Sequence, residues 1–234
     1  MHKSICLIPA KGCSTRLPRK NLLPLEGMPL VSKTIEKAIY SELFDVVCVS
    51  TEDEEIASVA SSCGADVPFI RPMYLSRDPS TIIDVMLHAL SQYNDKGIKF
   101  DKICVLLPTS PFVTINDIIL ANEQFDENPS NALISVCATN FPPYNAWELD
   151  DDCMLRSCFP DSPFRFTKAT ECPKTYRSNG AILIANVEIL QKERSYRTRP
   201  LRPYVMPTER SIDIDTSMDY EFAKFLSNHL RHNQ

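Results

Sequence analysis

Apolar runs of strand length alternate with helix-periodic segments over the first 140 residues of the chain. The strand runs are almost continuously apolar, which is typical of strands buried on both faces of a sheet. The pattern predicts strands at 4–10, 45–51, 67–72, 102–112 and 132–140 and helices at 29–41, 81–93 and 115–125, with a further helix opened by a capping box of Thr51 and Glu54. This alternation predicts an α/β fold in which helices cover both faces of a mostly parallel sheet.

The regular pattern stops at 141–175, which holds five prolines and the only tryptophan of the chain. An irregular stretch of this length predicts a projecting arm or lid, and its aromatic residues would suit contact with a partner subunit. An apolar run returns at 181–190, and a basic, proline-bearing stretch follows at 192–203. The sequence then predicts a strand at 211–215 and a final helix at about 216–230 with a capping box and one buried stripe. The capping pair is Thr216 with Asp219, and the stripe is Met218, Phe222, Phe225 and Leu226.

The length of 234 residues suits a single domain, 1–234. Hydrophobic residues make up 44% and charged residues 24%, as in ordinary globular proteins, and the formal net charge is -5. This acidic balance argues against a general nucleic-acid or membrane-surface binder, which needs a broad basic face. No apolar run approaches the roughly 20 residues that span a bilayer, and the first apolar run is too short for a secretory signal. We therefore expect a cytoplasmic protein.

Nine cysteines are present, which is an odd number. Four of them lie inside apolar strand runs, where a free thiol packs as a small hydrophobe: Cys6, Cys48, Cys104 and Cys137. Cys153, Cys158 and Cys172 have no histidine at the spacing of a zinc site. We expect reduced thiols, as in a reducing compartment, and assign none of them to catalysis.

The stretch IPAKGCSTRLPRKN at 8–21 concentrates positive charge directly after the first predicted strand. It contains four cations, Lys11, Arg16, Arg19 and Lys20. Backbone N–H groups of a strand-to-helix loop bind phosphate oxygens, and lysine and arginine add charge-assisted bonds. The spacing is not that of a Walker-type loop, and a solvated basic surface loop would have the same composition. Its position after the first strand of an α/β sheet favours an anion site.

Two carboxylates occur in SIDIDT at 211–216. Residues two apart in a strand share a face, so Asp213 and Asp215 would point to one side and Ile212 and Ile214 to the other. Paired carboxylates on one face can hold Mg²⁺ together with waters and phosphate oxygens. Two exposed acids on an edge strand, with Asp215 serving the following helix, would have the same spacing. The spacing alone does not decide between these alternatives.

Two further motifs would lie near the same edge of the sheet. In YRSNGAILI, Arg177 and Asn179 precede an apolar strand, and Gly180 indicates either a close backbone approach or an ordinary turn. In LPTSPF, Thr109 and Ser110 supply two hydroxyls, although a plain proline-flanked turn is the alternative. Ligands of such sheets bind beyond the carboxyl ends of the strands, where the basic loop also lies. Together these residues suit a nucleoside triphosphate with Mg²⁺, and therefore transfer of a phosphate-bearing group.

Six motifs follow one another in a recognisable order. They are IPAKGCSTRLPRKN at 8–21, VSTEDEEIA at 49–57, RP with LSRD at 71–78, PTSP at 108–111, RSNGAILI at 177–184 and SIDIDT at 211–216. Through them the chain resembles, over nearly its whole length, the CMP-sialic acid synthetase (acylneuraminate cytidylyltransferase) family. The resemblance implies a nucleotide-diphospho-sugar transferase-like (Rossmann-like) three-layer α/β sandwich, with 141–175 as the arm of a homodimer. It also implies Mg²⁺-dependent transfer of CMP from CTP to a nonulosonic acid, a nine-carbon 2-keto sugar acid, with release of pyrophosphate.

The resemblance also implies roles for single residues. Lys11, Arg16 and Lys20 would hold the triphosphate and spread the charge of the transition state. Asp213 and Asp215 would bind Mg²⁺. The substrate-binding residues would be Ser14, Asn21, Arg71, Thr81, Thr109, Ser110, Arg177, Asn179 and Gly180. Of these, Asn21 and Thr81 would contact the nucleotide, while Thr109, Ser110, Arg177 and Asn179 would face the sugar acid.

The chain departs from the family pattern at four positions. Lys11 stands for an arginine, Thr15 for a lysine with Arg16 beside it as the substitute, Leu107 for a glutamine and Val113 for an arginine. The last two lie where the family meets its sugar, which weakens the case for N-acetylneuraminic acid and leaves legionaminic or pseudaminic acid as alternatives.

Three other functions are weighed against this one. A Kdo cytidylyltransferase ranks lower because the G-D-E-P segment of that family is absent. A non-catalytic nucleotide-binding relative would tolerate loss of Asp213 and Asp215, and both are present. A different sugar nucleotidyltransferase would keep the basic loop and the acids but not the pairing of RSNGA with SIDIDT.

Overall fold

The computed structural model describes residues 3–128, 130–139, 141–164 and 167–232. The strands in these ranges are β1 (Ser4–Pro9), β2 (Pro24–Leu25), β3 (Met28–Pro29), β4 (Val46–Ser50), β5 (Lys102–Leu106), β6 (Ala132–Ala138), β7 (Trp147–Leu149), β8 (Leu155–Ser157), β9 (Tyr176–Asn186) and β10 (Leu201–Val205). The α-helices are α1 (Leu30–Tyr40), α2 (Glu54–Ser62), α3 (Ile82–Asn94), α4 (Ile115–Glu127), α5 (Val187–Glu193) and α6 (Ser217–His232). In the part of the chain that is described, no helix is long and apolar enough to cross a membrane.

The central sheet has six strands in the order β10-β6-β9-β5-β1-β4. All neighbouring pairs are parallel except those of β9, which runs antiparallel to both β5 and β6. The prediction of a mostly parallel α/β sheet is therefore confirmed. Because β9 is reversed, its first residues lie beside the carboxyl ends of its neighbours, with Arg177 opposite Cys137 and Ile182 opposite Leu106.

The two faces of the sheet are each covered by an apolar layer. Along β1, Ile5 and Leu7 pack into the cluster that α3 and α5 complete, while Cys6 and Ile8 pack into the cluster of α1, α2 and α4. All four side chains are fully buried. Burial on both faces explains why the strand runs are continuously apolar, and each aliphatic side chain of this kind contributes about 1.5–3 kcal/mol to folding.

Near β4 the structure differs from the prediction at two elements. The N-cap of α2 is Asp53, whose carboxylate accepts from the Ile56 N–H, so the predicted capping box of Thr51 and Glu54 is wrong. The Thr51 hydroxyl accepts instead from the Asp53 N–H. Residues 67–72 form no strand, because Pro68 and Pro72 lack the N–H groups that a ladder needs.

The predicted strand at 211–215 is also wrong, since these residues have no regular secondary structure. The segment is held by single bonds to neighbouring elements instead of by a ladder. The Ile214 N–H donates to the Thr109 carbonyl at 2.8 Å, and the Arg177 guanidinium donates to the Ser211 carbonyl at 3.3 Å. Strand alternation therefore does not explain how Asp213 and Asp215 are placed.

Helix α6 exists and begins with the predicted capping box, but its predicted buried stripe is wrong. Met218, Phe222 and Phe225 are 76%, 53% and 65% exposed. The face that packs on the domain carries Ala223 and Ser227, while Leu226 is half-buried. Small side chains lie there because the helix sits close to β2 and the turn after it. Tyr220 donates to the Pro24 carbonyl of β2, and Ser227 donates to Glu26 in the turn.

Three strands in the described second half of the chain were not predicted from the sequence pattern, namely β7, β8 and β10. β10 lies partly inside the basic stretch 192–203 and pairs in parallel with β6. Its Pro203 is tolerated because β10 is an edge strand. The apolar run at 181–190 is divided between the end of β9 and helix α5, so Arg177 and Asn179 lie within β9 and not before it.

The predicted arm, 141–175, contains the small hairpin of β7 and β8. Several of its large apolar side chains are exposed: Phe141, Trp147, Leu149, Met154, Leu155 and Phe159. Arg165 and Phe166 of the predicted arm, and Asn140 of the predicted strand before it, lie outside the described residues.

Candidate active site

A cleft of about 220 Å³ opens beyond the carboxyl ends of β1 and β5. Its walls come from the loop after β1, from the segment 71–82 and from the loop after β5. Six of the predicted site residues line it: Lys11, Lys20, Asn21, Arg71, Thr81 and Thr109. The sheet therefore brings together residues from three separate motifs, and Thr81 from the start of α3, at the edge that the topology predicts.

The loop after β1 has a fixed backbone. The Asn21 amide, which is buried, donates to the Lys11 carbonyl at 2.8 Å. Gly12 leaves no room for a side chain, since a Cβ there would lie 2.4 Å from the Asp53 Oδ2 atom. The N–H groups of Gly12 and Cys13 both donate to the Glu52 Oε1 atom, at 2.8 and 3.0 Å. These two amides are therefore occupied, which differs from the expectation that the loop offers free N–H groups to phosphate.

Lys11 and Lys20 line the cleft, whereas Arg16 does not line it and is joined to Lys20 through Asp215. The Lys20 ammonium lies 2.8 Å from Asp215 Oδ1, and the Arg16 guanidinium lies 2.8 Å from Asp215 Oδ2. Lys11 lines the cleft and is exposed, with no ion pair to its ammonium among the described residues. Arg19 instead turns to α2, where it pairs with Glu55 at 2.6 Å.

The two carboxylates of the SIDIDT segment have different surroundings. Burial raises the pKa of Asp213, although a hydrogen bond with Thr109 opposes this shift. Burial also acts to raise the pKa of Asp215, but the Lys20 and Arg16 charges outweigh it and lower that pKa below its usual value. Asp215 is therefore a carboxylate fixed between two cations, while Asp213 is the more weakly compensated of the pair.

Asp213 and Asp215 have the chemistry of a Mg²⁺ site. The Asp213 Oδ1 atom is buried and has no hydrogen-bond partner among the described residues, so one ligand oxygen is available. No group of three or more histidine, cysteine or acidic side chains with metal-binding geometry occurs in the described ranges. Mg²⁺ typically takes only one or two carboxylates and fills its other positions with water and phosphate oxygens. The residues present fit that ligand set.

The far wall of the cleft is built from Arg71 and from the start of α3. Arg71 is only 3% exposed, and its guanidinium donates to the Ser76 hydroxyl and to Glu52. Thr81 is the N-cap of α3 in a complete capping box with Asp84. Thr81 thus lines the cleft, but its hydroxyl is bonded to Asp84 at 2.8 Å.

The residues expected at the sugar are distributed over two environments. Thr109 lies at the cleft, and Arg177 reaches the segment that carries the carboxylates. Asn179 is only 2% exposed, and its amide donates to the Ser211 hydroxyl at 2.8 Å while its oxygen accepts from Ser135 and from the Ala181 N–H. In this arrangement Asn179 connects β6, β9 and the segment at 211, and does not reach the cleft surface.

Three other predicted residues, Ser14, Ser110 and Gly180, do not line the cleft. Ser110 is buried and belongs to a separate small cavity next to Lys37. Ser14 is nearly buried, and its hydroxyl has no partner among the described residues. Gly180 has a φ of 71°, a left-handed conformation that favours glycine, and lines an apolar cavity.

That apolar cavity, of about 140 Å³, adjoins the cleft and shares Ile82 and Leu107 with it. The rest of its lining is mostly aliphatic, with Tyr196 closing one side. Leu107 therefore stands between the two spaces. Val113, the other departure from the family pattern, is 6% exposed in the core and lines neither of them.

Sequence reasoning missed Glu52 and Ser76, which bond both to each other and to Arg71. Glu52 lies within VSTEDEEIA, which indicated a helix start and the family resemblance but no role for Glu52 itself. The available signal was an acidic residue directly after the second strand of a parallel sheet, at the ligand-binding edge.

The sequence model of the family described as Cytidylyltransferase matches residues 5–206, which is most of the chain. The chain belongs to the cytidylyltransferase family. A solved CMP:2-keto-3-deoxy-manno-octonic acid synthetase in complex with CTP superposes with a TM-score of 0.71 over 97% of this chain and 99% of the other, at 16% identity, which shows the shared fold.

Two curated relatives are similar to this cytidylyltransferase over nearly all of its length. It is 32% identical over 224 residues to a pseudaminic acid cytidylyltransferase of Campylobacter jejuni, covering 96% of each chain. It is 35% identical over 223 residues to an N-acylneuraminate cytidylyltransferase of Escherichia coli, covering 94% of this chain and 51% of that protein. The chain therefore spans about half of the second relative.

Proposed function

We propose that this cytidylyltransferase joins CTP to a nonulosonic acid and releases pyrophosphate, giving the CMP-sugar. The observation that carries the proposal is the junction of Lys20 with Asp215 at the cleft, because it brings the basic loop and the paired carboxylates to one place. Family membership supplies the cytidylyl chemistry. Both curated relatives are named for nonulosonic acids, pseudaminic acid and N-acylneuraminate, which supports the acceptor class.

In the proposed reaction the anomeric hydroxyl oxygen attacks the α-phosphorus of CTP and its proton passes to solvent. The bond between the α-phosphorus and the oxygen that bridges to the β-phosphorus breaks, and its electron pair leaves with the pyrophosphate. Lys11, Lys20 and Arg16 neutralise the triphosphate and the charge that builds up on the leaving pyrophosphate. Asn21 and Gly12 fix the backbone of the loop after β1. They thereby fix the backbone positions from which the three cationic side chains extend. Catalysis here is positioning together with charge stabilisation, as is general for phosphoryl transfer.

We propose Asp213 and Asp215 as the residues that hold Mg²⁺. The ion would supply Lewis-acid polarisation of the α-phosphate when bound. Asp213 offers a buried oxygen that finds no hydrogen-bond partner in the described part of the chain, which supports its role as the leading ligand. Asp215 is already held by Lys20 and Arg16, so it would orient the cations as well as contribute an oxygen.

The apolar cavity behind Leu107 is where we propose that a substituent of the sugar acid lies. Its volume of about 140 Å³ and its aliphatic lining suit a methyl or acylamino group better than a run of hydroxyls. This favours deoxygenated, acylated nonulosonic acids such as pseudaminic or legionaminic acid over N-acetylneuraminic acid. Kdo, which has no acylamino group, and other sugar nucleotidyltransferase substrates remain the alternative.

The direct test is pyrophosphate release with CTP and Mg²⁺ against pseudaminic, legionaminic and N-acetylneuraminic acids and Kdo. We expect turnover with a nonulosonic acid, and with CTP in preference to UTP, ATP and GTP. Turnover with Kdo alone would replace the proposed acceptor. Absence of turnover across the panel, with CTP binding intact, would favour a non-catalytic relative.

The metal proposal is tested at Asp213. Because Asp213→Asn keeps the size of the side chain but removes one charge, we expect weaker Mg²⁺ binding in the presence of CTP and a loss of kcat of at least about 100-fold. Calorimetric Mg²⁺ titration measures the first effect without turnover. Wild-type Mg²⁺ affinity in Asp213→Asn would contradict the assignment.

We also propose a homodimer formed through the arm 141–175, in a reducing compartment such as the cytoplasm. The exposed apolar side chains of the hairpin support an interface, and all nine cysteines are free thiols. Light scattering should give a dimer mass for the wild type and a monomer mass for the double variant Leu149→Asp, Leu155→Asp. A monomeric wild type at micromolar concentration would overturn the dimer.

A further inference from the structure

One buried carboxylate connects both walls of the cleft. The Glu52 Oε1 atom accepts from the N–H groups of Gly12 and Cys13 on the loop after β1. Its Oε2 atom accepts from the Arg71 guanidinium at 2.9 Å and from the Ser76 hydroxyl at 2.8 Å on the opposite wall. The Glu52 and Arg71 side chains are 4% and 3% exposed.

The Glu52 side chain is bonded in a way that requires a carboxylate. Each of its two oxygens accepts two hydrogen bonds, so four donors converge on one charge. A glutamine would present only one acceptor oxygen, and its amide N–H groups would face the donors of one wall. A buried charge with this many partners is stable as an ion, whereas removal of the charge leaves its donors unpaired.

The same region presses the loop against α2. Asp53, the next residue, is the N-cap of that helix and lies where a Gly12 side chain would be. Two contacts therefore fix the loop after β1. Asp53 packs against Gly12, and Glu52 accepts hydrogen bonds from the Gly12 and Cys13 N–H groups. Arg71 is fixed independently through its own N–H, which donates to the Thr51 carbonyl at 2.8 Å.

We propose that Glu52 is a positioning residue that sets the distance between the triphosphate loop and Arg71, and so determines how tightly the cleft holds CTP. The proposal rests on the proposed function for the identity of the ligand. Glu52 touches no reacting atom in it and acts through the loop backbone and the Arg71 guanidinium. Because the Gly12 and Cys13 N–H groups stay bonded to Glu52, the triphosphate is held by side chains of the loop and not by these two amides.

A second arrangement makes the opposite prediction. If the Gly12 and Cys13 amides were a phosphate site that Glu52 fills in the free protein, Glu52 would compete with CTP. Loss of its charge would then tighten CTP binding. The two arrangements therefore differ in the sign of the effect.

The test compares Glu52→Gln with Asp45→Asn by calorimetric titration of CTP. Asp45 is a matched control because its carboxylate accepts from the Ser4 N–H at the other end of β1, away from the cleft. We expect CTP binding to weaken at least tenfold in Glu52→Gln and to stay within twofold of wild type in Asp45→Asn. Unchanged or tighter binding in Glu52→Gln would overturn the proposal.

Steady-state kinetics separate positioning from a general loss of folded enzyme. In Glu52→Gln the KM for CTP should rise at least tenfold, while the KM for the sugar acid stays within threefold. An equal rise of both KM values, or a fall in kcat alone, would contradict positioning.

A second variant, Ser76→Ala, covers the case in which Glu52→Gln does not fold. It removes one hydrogen-bond donor to Glu52 and keeps the charge, so CTP binding should weaken two- to fivefold. Unchanged CTP binding in a folded Ser76→Ala would overturn the proposal.

Hydrogen exchange tests the positioning without any ligand. The amides of Gly12 and Cys13 should be protected in the wild-type protein and should exchange at least tenfold faster in Glu52→Gln, with Ser76→Ala intermediate. Unchanged protection of this loop would overturn the proposal. Absence of CTP binding by the wild type would instead overturn the proposed function, and the exchange result would still decide the role of Glu52.

Discussion

At the scale of single residues, the cations of the loop after β1 are not equivalent. Lys20 is 14% exposed and Arg16 is 68% exposed, although both lie 2.8 Å from Asp215. An exposed ion pair is worth only about 0–1 kcal/mol, whereas the attraction is stronger when the cation, here Lys20, is largely shielded from water. Lys20 should therefore dominate the interaction with Asp215.

This difference predicts an order of effects. Lys20→Met should lower kcat/KM for CTP by about 100-fold or more, and Arg16→Met by about tenfold, which correspond to about 2.7 and 1.4 kcal/mol. Arg19→Met is the matched control, because Arg19 pairs with Glu55 on α2, and its kcat/KM should stay within twofold. Pyrophosphate-release kinetics measure all three. A loss in Arg19→Met equal to that in Lys20→Met would mean that only net charge matters.

At the scale of elements, α3, α4 and α6 all begin with a Thr–Asp capping box, and those of α3 and α4 lie in different places relative to the cleft. Thr81 with Asp84 opens α3 at the cleft, and Thr114 with Asp117 opens α4 outside the residues that line it. Loss of an N-cap hydroxyl costs typically about 1 kcal/mol. The pair thus separates the stability of a helix start from its contribution to the cleft.

Thr81→Ala and Thr114→Ala should each lower the free energy of unfolding by about 1 kcal/mol, as measured by urea titration. Only Thr81→Ala should also raise the KM for CTP, by roughly threefold to tenfold, because it loosens the cleft wall. If Thr114→Ala raised the KM for CTP as much, the effect would follow stability and not position.

The sequence predicted the elements in which the apolar pattern reflects burial. It did not predict features that depend on a few specific contacts. The strands β1, β4, β5 and β6 are apolar because both faces are covered, and all four were predicted. Helix α6 was predicted, but its orientation was not, because the polar bonds of Tyr220 and Ser227 to the hairpin at 24–26 fix its inner face. Pattern analysis favours the larger apolar stripe, which here faces outward.

For the candidate site, the order of the motifs was a better guide to which residues lie close together than the predicted secondary structure was. Asp213 and Asp215 lie at the basic loop although no strand carries them, and Thr109 holds that segment through its carbonyl. Glu52 could not be assigned, because its role comes from donors that lie 40 and 19 residues away in the chain.

At the scale of the whole molecule, the buried carboxylates make stability depend on acid pH. Burial opposes ionisation of Glu52, but hydrogen bonds from Ser76, Arg71 and Cys13 outweigh it and lower its pKa from 4.5 to about 2. Burial likewise opposes ionisation of Asp117, and bonds with Thr114 and Arg210 lower its pKa. A carboxylate with a lowered pKa stabilises the fold above its unfolded pKa, and this contribution is lost as the pH falls toward the folded value.

The stability difference between wild type and Glu52→Gln should therefore depend on pH. At pH 7 the variant should be less stable by about 3–5 kcal/mol, as for a broken buried ion pair. The difference should shrink as the pH falls below about 4.5 and be largely gone near pH 2, because the wild-type carboxylate becomes protonated. Urea unfolding at several pH values measures it. A difference that stays constant down to pH 3 would show that the charge of Glu52 does not stabilise the fold.

The ion pair of Lys20 with Asp215 joins two positions 195 residues apart in the chain. Contacts of such separation close a very large loop, and they are among the last that an assembling chain can form. The strands β1, β4 and β5 can pair before the segment after β10 arrives, but the cleft is complete only when that segment docks. During refolding, recovery of CTP binding should lag behind recovery of secondary structure, so nucleotide binding would mark the completion of the native topology.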